Sequence, residues 1–420
     1  MDGFMSSANP INSHCASPRR WLSIIGIGED GIDGLTATAR RLIESATEVF
    51  GGARHLALAG PLIRGTPRAW PRPFGLDEVL AHRGRAVCVL ASGDPFCHGV
   101  GSLLAQHVSS EEMQVMPALS AFSLAASRLL WALPETILIS LCGRSLDFVR
   151  PHLQPGVRIL ALAADQDTPL QLAKLLSDLG FGASRLTVLE SLGGPRERVR
   201  STRADAFDMK SIGALNTIAV EVVAGAGARI VPKTHGLDDE LFEHDGQITK
   251  REMRALALSA LAPQRGQRLW DVGAGSGSVA VEWLLSDEFM SATAIERRSD
   301  RAARAKRNAQ TFGVPHLEVL EGIAPLALVG LAPPDAVFIG GGATAPGLIE
   351  AVRAALLPAG RLVVHAVTLR TESALINYQS LYGGSLTRVA ISRAAPIGKN
   401  PSMMGWRPAM PVTQWTWVKG

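Results

Sequence analysis

The run Leu269-Trp270-Asp271-Val272-Gly273-Ala274-Gly275-Ser276-Gly277 sets short apolar residues directly before a glycine turn, and helical periodicity follows from Val279 to Leu285. A strand that ends in glycines and opens a helix is a nucleotide-binding unit. Residues without a Cβ let the backbone turn tightly and let a ligand come close, and the helix start offers N–H groups that the helix itself cannot use. Gly273, Ala274, Gly275, Ser276 and Gly277 are therefore candidate contacts. Ser278 stands where a dinucleotide fingerprint often has its third glycine. Asp271, just before the loop, would repel a pyrophosphate but suits the ammonium of a bound amino acid. Glu296 ends the next strand, where a carboxylate can accept both hydroxyls of a ribose. The set favours S-adenosyl-L-methionine over a nicotinamide cofactor, which stays open on these residues alone.

A second group lies in the N-terminal half. Ile24-Ile25-Gly26-Ile27-Gly28 is another glycine-rich strand end, a weak signal alone. It is joined by Ser92-Gly93-Asp94-Pro95-Phe96-Cys97-His98-Gly99, in which Asp94-Pro95 forces a turned or extended backbone. Pro117-Ala118-Leu119-Ser120-Ala121 marks a third strand end. Gly26, Gly28, Gly93, Asp94, Pro95, Ser120 and Ala121 can thus converge on one ligand. Gly340 to Gly342 end another strand and would let a bulky acceptor approach the second nucleotide unit. No Ser-His or Cys-His signature marks a nucleophile, and no catalytic side chain is assigned. Cys15, Cys88, Cys97 and Cys142 form no C-x-x-C pair, so neither a metal site nor a disulfide framework is expected.

Strand-like runs alternate with helical periodicity along the whole chain, which argues an α/β architecture. In the first half strands are expected near Leu22–Gly26, Glu48–Phe50, Ala86–Leu90, Gln114–Met116, Arg158–Ala161, Arg185–Leu189 and Thr217–Val222, with helices over Ala37–Ser45, Val100–Gln106, Ala121–Trp131 and Pro169–Leu179. A linker falls within Gly225 to Gly236. The second half then runs helix, glycine-loop strand and further alternation, closing on strands near Ser385–Arg393 and Val412–Val418. The expected organisation is a loose tail over residues 1–20, a domain over 21–228, a linker over 229–235 and a domain over 236–420. At 420 residues and 47% apolar composition, both domains can bury substantial cores. The net charge of +4 is small, and no cluster of aromatics sits among basic residues, so nucleic acid is not the expected partner. Pro325, Pro333, Pro334 and Pro346 break the nearly uncharged stretch from Ile323 to Ile349, which argues against a membrane helix and for a soluble, cytoplasmic protein.

Residues 236–420 resemble the cobalamin-pathway methyltransferases that act on C15 of the precorrin ring and decarboxylate a side chain. The matching residues are Gly236-Leu237-Asp238-Asp239-Glu240-Leu241-Phe242, Gln247-Ile248-Thr249-Lys250-Arg251-Glu252, the glycine loop, Glu296 and Phe338-Ile339-Gly340-Gly341. The resemblance implies cofactor contacts at Thr249, Gly273 to Gly277, Glu296 and Ala324. Ile323 stands where many methyltransferases carry an acidic residue, which implies a backbone contact to adenine. Trp21 to Val222 is similar to the tetrapyrrole methylase family, with Gly93-Asp94-Pro95 the most specific element. Glu190-Ser191-Leu192-Gly193-Gly194-Pro195-Arg196-Glu197 and Asn216-Thr217-Ile218-Ala219-Val220 point to its C5-methylating branch. Cys142 departs from that family, which places His before the Gly143-Arg144 pair.

Together the resemblances imply a two-lobed methylase-like α/β domain followed by a doubly wound Rossmann-like methyltransferase domain. They imply S-adenosyl-L-methionine as cofactor and a precorrin tetrapyrrole as substrate, methylated at C5 and C15 with loss of an acetate carboxyl, in a homo-oligomer. Arg144, Arg196, Arg198, Arg251 and Arg370 are candidate partners for substrate carboxylates, and Asp238 and Glu240 could shape the acceptor side. An RNA methyltransferase built on the same two folds is the alternative.

Overall fold

The computed structural model describes residues 20–398 and 400–420. The tail expected over residues 1–20 lies outside them except for Arg20, as does Cys15. The chain forms two compact units. Among the described residues, one comprises those up to Gly143 with Pro155–Ala228, the other Arg144–Gln154 with those from Arg229 to Gly420.

The first unit holds two five-stranded sheets. One is wholly parallel, in the order Thr66–Ala69, Glu48–Gly51, Val87–Ser92, Leu22–Ile27, Met113–Met116. Its central strands Leu22–Ile27 and Val87–Ser92 are largely apolar and buried, Ser23 and the terminal Ser92 apart, because both faces are covered. Leu22, Ile24, Val87 and Val89 pack into one cluster, and Ile25, Ile27, Cys88 and Leu90 into another. The second sheet is mixed, in the order Thr136–Ser140, Arg158–Leu162, Asn216–Glu221, Arg185–Glu190, Arg198–Arg203.

The second unit is built on a seven-stranded sheet in the order Glu318–Glu321, Ser291–Glu296, Arg268–Val272, Ala336–Ile339, Arg361–Ala366, Val412–Val418, Ser385–Val389. The first five strands are parallel, and Val412–Val418 runs antiparallel to both neighbours. Alternate side chains feed opposite faces. Leu269 joins Leu258, Ala280, Trp283 and Ala309 on one side, while Trp270 and Val272 join Leu348, Val352 and Leu375 on the other. This is the doubly wound arrangement expected. The strand order reverses beside Arg268–Val272, and in open α/β sheets ligands bind at that crevice, outside the carboxyl ends of the strands.

A boundary drawn only at residue 228 misses one exchange. The 3-10 stretch Leu146–His152 belongs with the second unit. Phe148 stacks on His316 with centroids 5.4 Å apart, and the Gln154 amide donates to Val231 O at 2.8 Å.

Candidate functional sites

In the second unit the glycine loop follows Arg268–Val272 at the switch point. Gly273, Gly275 and Gly277 all have positive φ. Gly277 is the most constrained, because a Cβ there would stand 2.9 Å from the Ala305 Cβ at a φ of 73°. The loop is thereby held down on the helix Ser299–Thr311.

Glu296 is buried at the end of its strand. Its Oε2 accepts from Gly275 N at 2.9 Å and its Oε1 from Arg298 N at 3.0 Å. The carboxylate thus braces the loop, and each oxygen keeps a second lone pair for a diol. Gly322 N donates to Glu296 O at 3.0 Å, which sets half-buried Ala324 in the turn beside that strand end. Across the switch point Gly340 N donates to Val272 O at 3.1 Å.

Asp271 does not face a ligand ammonium, contrary to the sequence reading. It is 1% exposed, and its Oδ2 accepts from Ala280 N at 3.1 Å at the start of the helix Ser278–Leu285. Burial pushes its carboxyl up to about 7, the Glu296 charge adding to the rise and the Ala280 N–H opposing it.

The segment from Gly236 to Thr249 is fixed over this loop by two polar anchors that the sequence did not reveal. The first is Arg254, fully buried in the helix Arg251–Leu261. It donates to Glu282 at 2.5 Å, Asp239 at 3.1 Å, Thr249 O at 2.5 Å and Leu237 O, with Phe242 under its guanidinium. Glu282, also buried, accepts from Gly236 N and Leu237 N at 2.7 and 3.0 Å. The second anchor is Asn308. Its amide donates to Ser276 O and Glu243 O and accepts from Glu243 N. In consequence Gln247 O lies 3.7 Å from where a Gly275 Cβ would be, and half-buried Thr249 stands close behind it in sequence.

In the first unit the three predicted loops do meet. A Cβ on Gly26 would come within 1.8 Å of Gly93 O and 2.6 Å of Ala118 N, so only glycine allows the contact. The loops wall a cavity of about 360 Å³ lined by Gly28, Gly93, Asp94, Ser120 and Ala121 among others. Gly26 and Pro95 stand behind that wall. Pro95 is buried and its carbonyl accepts from Gly101 N. The Ser120 hydroxyl caps the helix Ala121–Leu129 through Ser123 N at 3.1 Å, and Asp94 Oδ1 accepts from Phe96 N at 2.8 Å. Both loops are therefore braced by their own side chains. Cys142 lines the cavity and leans on Ala163 O at 3.3 Å.

The wall also carries a polar cluster that sequence reading passed over: Glu29, Arg54, His55 and Ser92. Arg54 pairs with Glu29, and its Nη2 lies 2.8 Å from both His55 Nε2 and Ser92 Oγ. His55 Nε2 is 2.8 Å from Ser92 Oγ. A guanidinium cannot accept a hydrogen bond, so Nε2 must be the acceptor and the ring neutral. Burial and the Arg54 charge push His55 down to about 4, in agreement.

The arginines proposed from sequence fare differently. Arg198 is committed to buried Glu190 at 2.7 Å, and Arg251 pairs with Asp238. Arg144 belongs to the second unit and lies over Phe148. Arg370 is exposed, and Arg196, 80% exposed, reaches to 3.7 Å from Glu29.

Among the described residues no group of His, Cys, Asp or Glu could hold a metal, and no helix is long and apolar enough to cross a membrane.

Comparison with known proteins finds two family matches along the chain. Residues 22–208 match the family of tetrapyrrole (corrin/porphyrin) methylases, and residues 240–419 match the precorrin methyltransferase domain. The chain is 54% identical over 98% of its length, and 100% of the relative's, to precorrin-6Y C(5,15)-methyltransferase [decarboxylating] of a Sinorhizobium species. It is 41% identical over 39% of its length, and 86% of the relative's, to cobalt-precorrin-6B C(15)-methyltransferase (decarboxylating) of Salmonella typhimurium. The crystal structure of the C-terminal domain of precorrin-6Y C5,15-methyltransferase from Rhodobacter capsulatus is 43% identical over 45% of this chain and all of that one, with a TM-score of 0.42.

Proposed function

Because the chain belongs to the precorrin-6Y C(5,15)-methyltransferase (decarboxylating) family, we propose that it transfers methyl groups to C5 and C15 of a precorrin, one per unit, and removes an acetate carboxyl as carbon dioxide. One observation carries the reading: a single chain aligns end to end with a relative of that name, and the two family matches fall on the two halves of the chain. The RNA methyltransferase alternative is replaced by this family membership.

S-adenosyl-L-methionine is the proposed donor in each unit, where its sulfonium supplies an electrophilic methyl. The residues present suit it. In the second unit Glu296 would accept the ribose hydroxyls with its remaining lone pairs, Thr249 and Gly273 to Gly277 would border the methionyl part, and Ala324 would border the adenine. In the first unit Gly28, Gly93, Asp94, Ser120 and Ala121 would border the donor, with Gly26 and Pro95 supporting them. The nucleophile is an electron-rich meso carbon of the ring, so the protein needs no nucleophile of its own. Its task is alignment, which can lower such barriers by roughly 7–11 kcal/mol. Loop bracing by Glu296, Asn308 and Arg254 serves that task. In the decarboxylation the ring takes up the electron pair left by carbon dioxide.

The test is incubation of the full chain with S-adenosyl-L-methionine and the tetrapyrrole, followed by mass spectrometry. The expected product has gained both methyl groups and lost one carbon dioxide. Absence of methyl transfer, or occupation of the Glu296 site by a nicotinamide nucleotide instead, would end the reading.

A further inference from the structure

The cluster Glu29, Arg54, His55 and Ser92 has no part in the loop contacts just described. It stands at the carboxyl ends of parallel strands, on the cavity wall. Glu29 follows Leu22–Ile27, Arg54 and His55 open the helix after Glu48–Gly51, and Ser92 ends Val87–Ser92.

Arg54 is unlike a surface arginine. Its Nη1 is held by Glu29 and its Nη2 by Ser92 and His55, yet 34% of its side chain is exposed. Those three contacts leave Nε–H and one Nη1–H uncommitted, on different edges of the guanidinium, so each can give a carboxylate oxygen a single charge-assisted hydrogen bond. His55 contributes as a neutral acceptor and adds no second cation. Glu29 lies between two guanidiniums, with Arg196 at 3.7 Å from its other oxygen, so the three charges sum to +1. Asp94, the nearby carboxylate on the wall, has Oδ1 turned onto Phe96 N.

We propose that Arg54 anchors a carboxylate arm of the tetrapyrrole in the first unit, held in position by Glu29, Ser92 and His55. This rests on the reading of the first unit as a tetrapyrrole methylase and names its acceptor subsite. Arg54 is the residue that touches substrate, and His55 is a positioning residue.

The experiment uses the full chain, whose second unit is an internal control. Methylation at C5 and methylation with decarboxylation at C15 are resolved by mass spectrometry while tetrapyrrole and S-adenosyl-L-methionine are varied separately. Arg54→Ala should raise the KM for the tetrapyrrole at C5 on the order of 10- to 100-fold, the worth of a lost charge-assisted pair. The KM for the donor and the C15 reaction should not change. Arg54→Lys, which keeps the charge against Glu29 but loses the fork, should fall between. His55→Ala should raise the same KM less, and His55→Gln, whose amide oxygen can accept, should restore it. Two results would overturn the proposal: an unchanged tetrapyrrole KM in Arg54→Ala, or weakened donor binding already in Arg54→Lys. If the wild-type chain puts no methyl on C5, the reading of the first unit fails as well, so the two failures are distinguishable.

Discussion

Removing the Arg254 guanidinium should destabilise the second unit more than any surface change in it. Arg254 and Glu282 are 0% and 1% exposed, so each is an ion that water does not solvate. Deleting one partner of such a pair leaves the other charge buried and uncompensated, typically at about 3–5 kcal/mol. Three further acceptors, Asp239, Thr249 O and Leu237 O, lose their donor at the same time, which argues for the upper end. For a unit of this size each kcal/mol moves the midpoint by about 2–4 °C, so Arg254→Met should lower that unit's thermal transition by roughly 6–20 °C. Calorimetry of the full chain separates the effect if the two units melt apart, because the first unit's transition should stay in place. Replacing both partners is not a rescue here. Glu282 also accepts from Gly236 N and Leu237 N, and an apolar residue would strand both. Arg254→Met with Glu282→Gln should therefore recover only part of the loss. An Arg254→Met protein whose second transition shifts by less than about 2 °C would show that the segment is held by other means and refute the reasoning.

Further outcomes are expected. Glu296→Gln keeps one acceptor for the loop but cannot brace Gly275 N and Arg298 N while also taking two hydroxyls, so donor affinity at the second unit should fall about 10- to 100-fold by calorimetry, with the first unit's binding unchanged. Asp271 holds a proton in the folded chain up to about pH 7 that the unfolded chain releases near 3.8. The folded state thus binds more protons across that window, and stability contributed by this group is lost as pH rises through it. Asp271→Asn, which still accepts from Ala280 N, should flatten the fall in stability across those pH values, and an identical slope in denaturant titrations would contradict it. Gly26→Ala forces a methyl into Gly93 O and Ala118 N, and should cost the first unit about 1–3 kcal/mol or more and its donor binding, while C15 chemistry persists in a product assay.

Much of the architecture could be read from local pattern. The helix Ala37–Ser45 and the strand Val412–Val418 lie where periodicity places them, the Thr36 hydroxyl accepting from Ala39 N as the cap of that helix. Elements without an apolar signal escaped. Thr66–Ala69 contains Pro67 and is largely exposed at a sheet edge, where proline is tolerated. Arg198–Arg203 alternates charged residues on another edge, yet Arg198 and Arg200 both reach Glu190, a pairing only tertiary structure makes visible. The strand expected through Arg393 divides instead. Ser385–Val389 stays in the sheet, and Ser392–Ile397 pairs with Asn400–Pro408 in a separate hairpin. The glycine loops were legible because backbone approach demands glycine. Arg54 and His55 were not, since a basic pair at a helix start reads as solvated surface until the fold encloses it. Asp271 misled because a carboxylate before a loop can face inward to the helix as readily as outward to a ligand.

The exchanged stretch Leu146–His152 bears on any attempt to separate the two activities by cutting the gene. A polypeptide starting near residue 229 would lack Phe148 and Pro151, uncovering the ring of His316 and the flank of Gly313 that they shield. Weak performance of such a half would report a wound in its own packing, and need say nothing about whether the two reactions depend on each other.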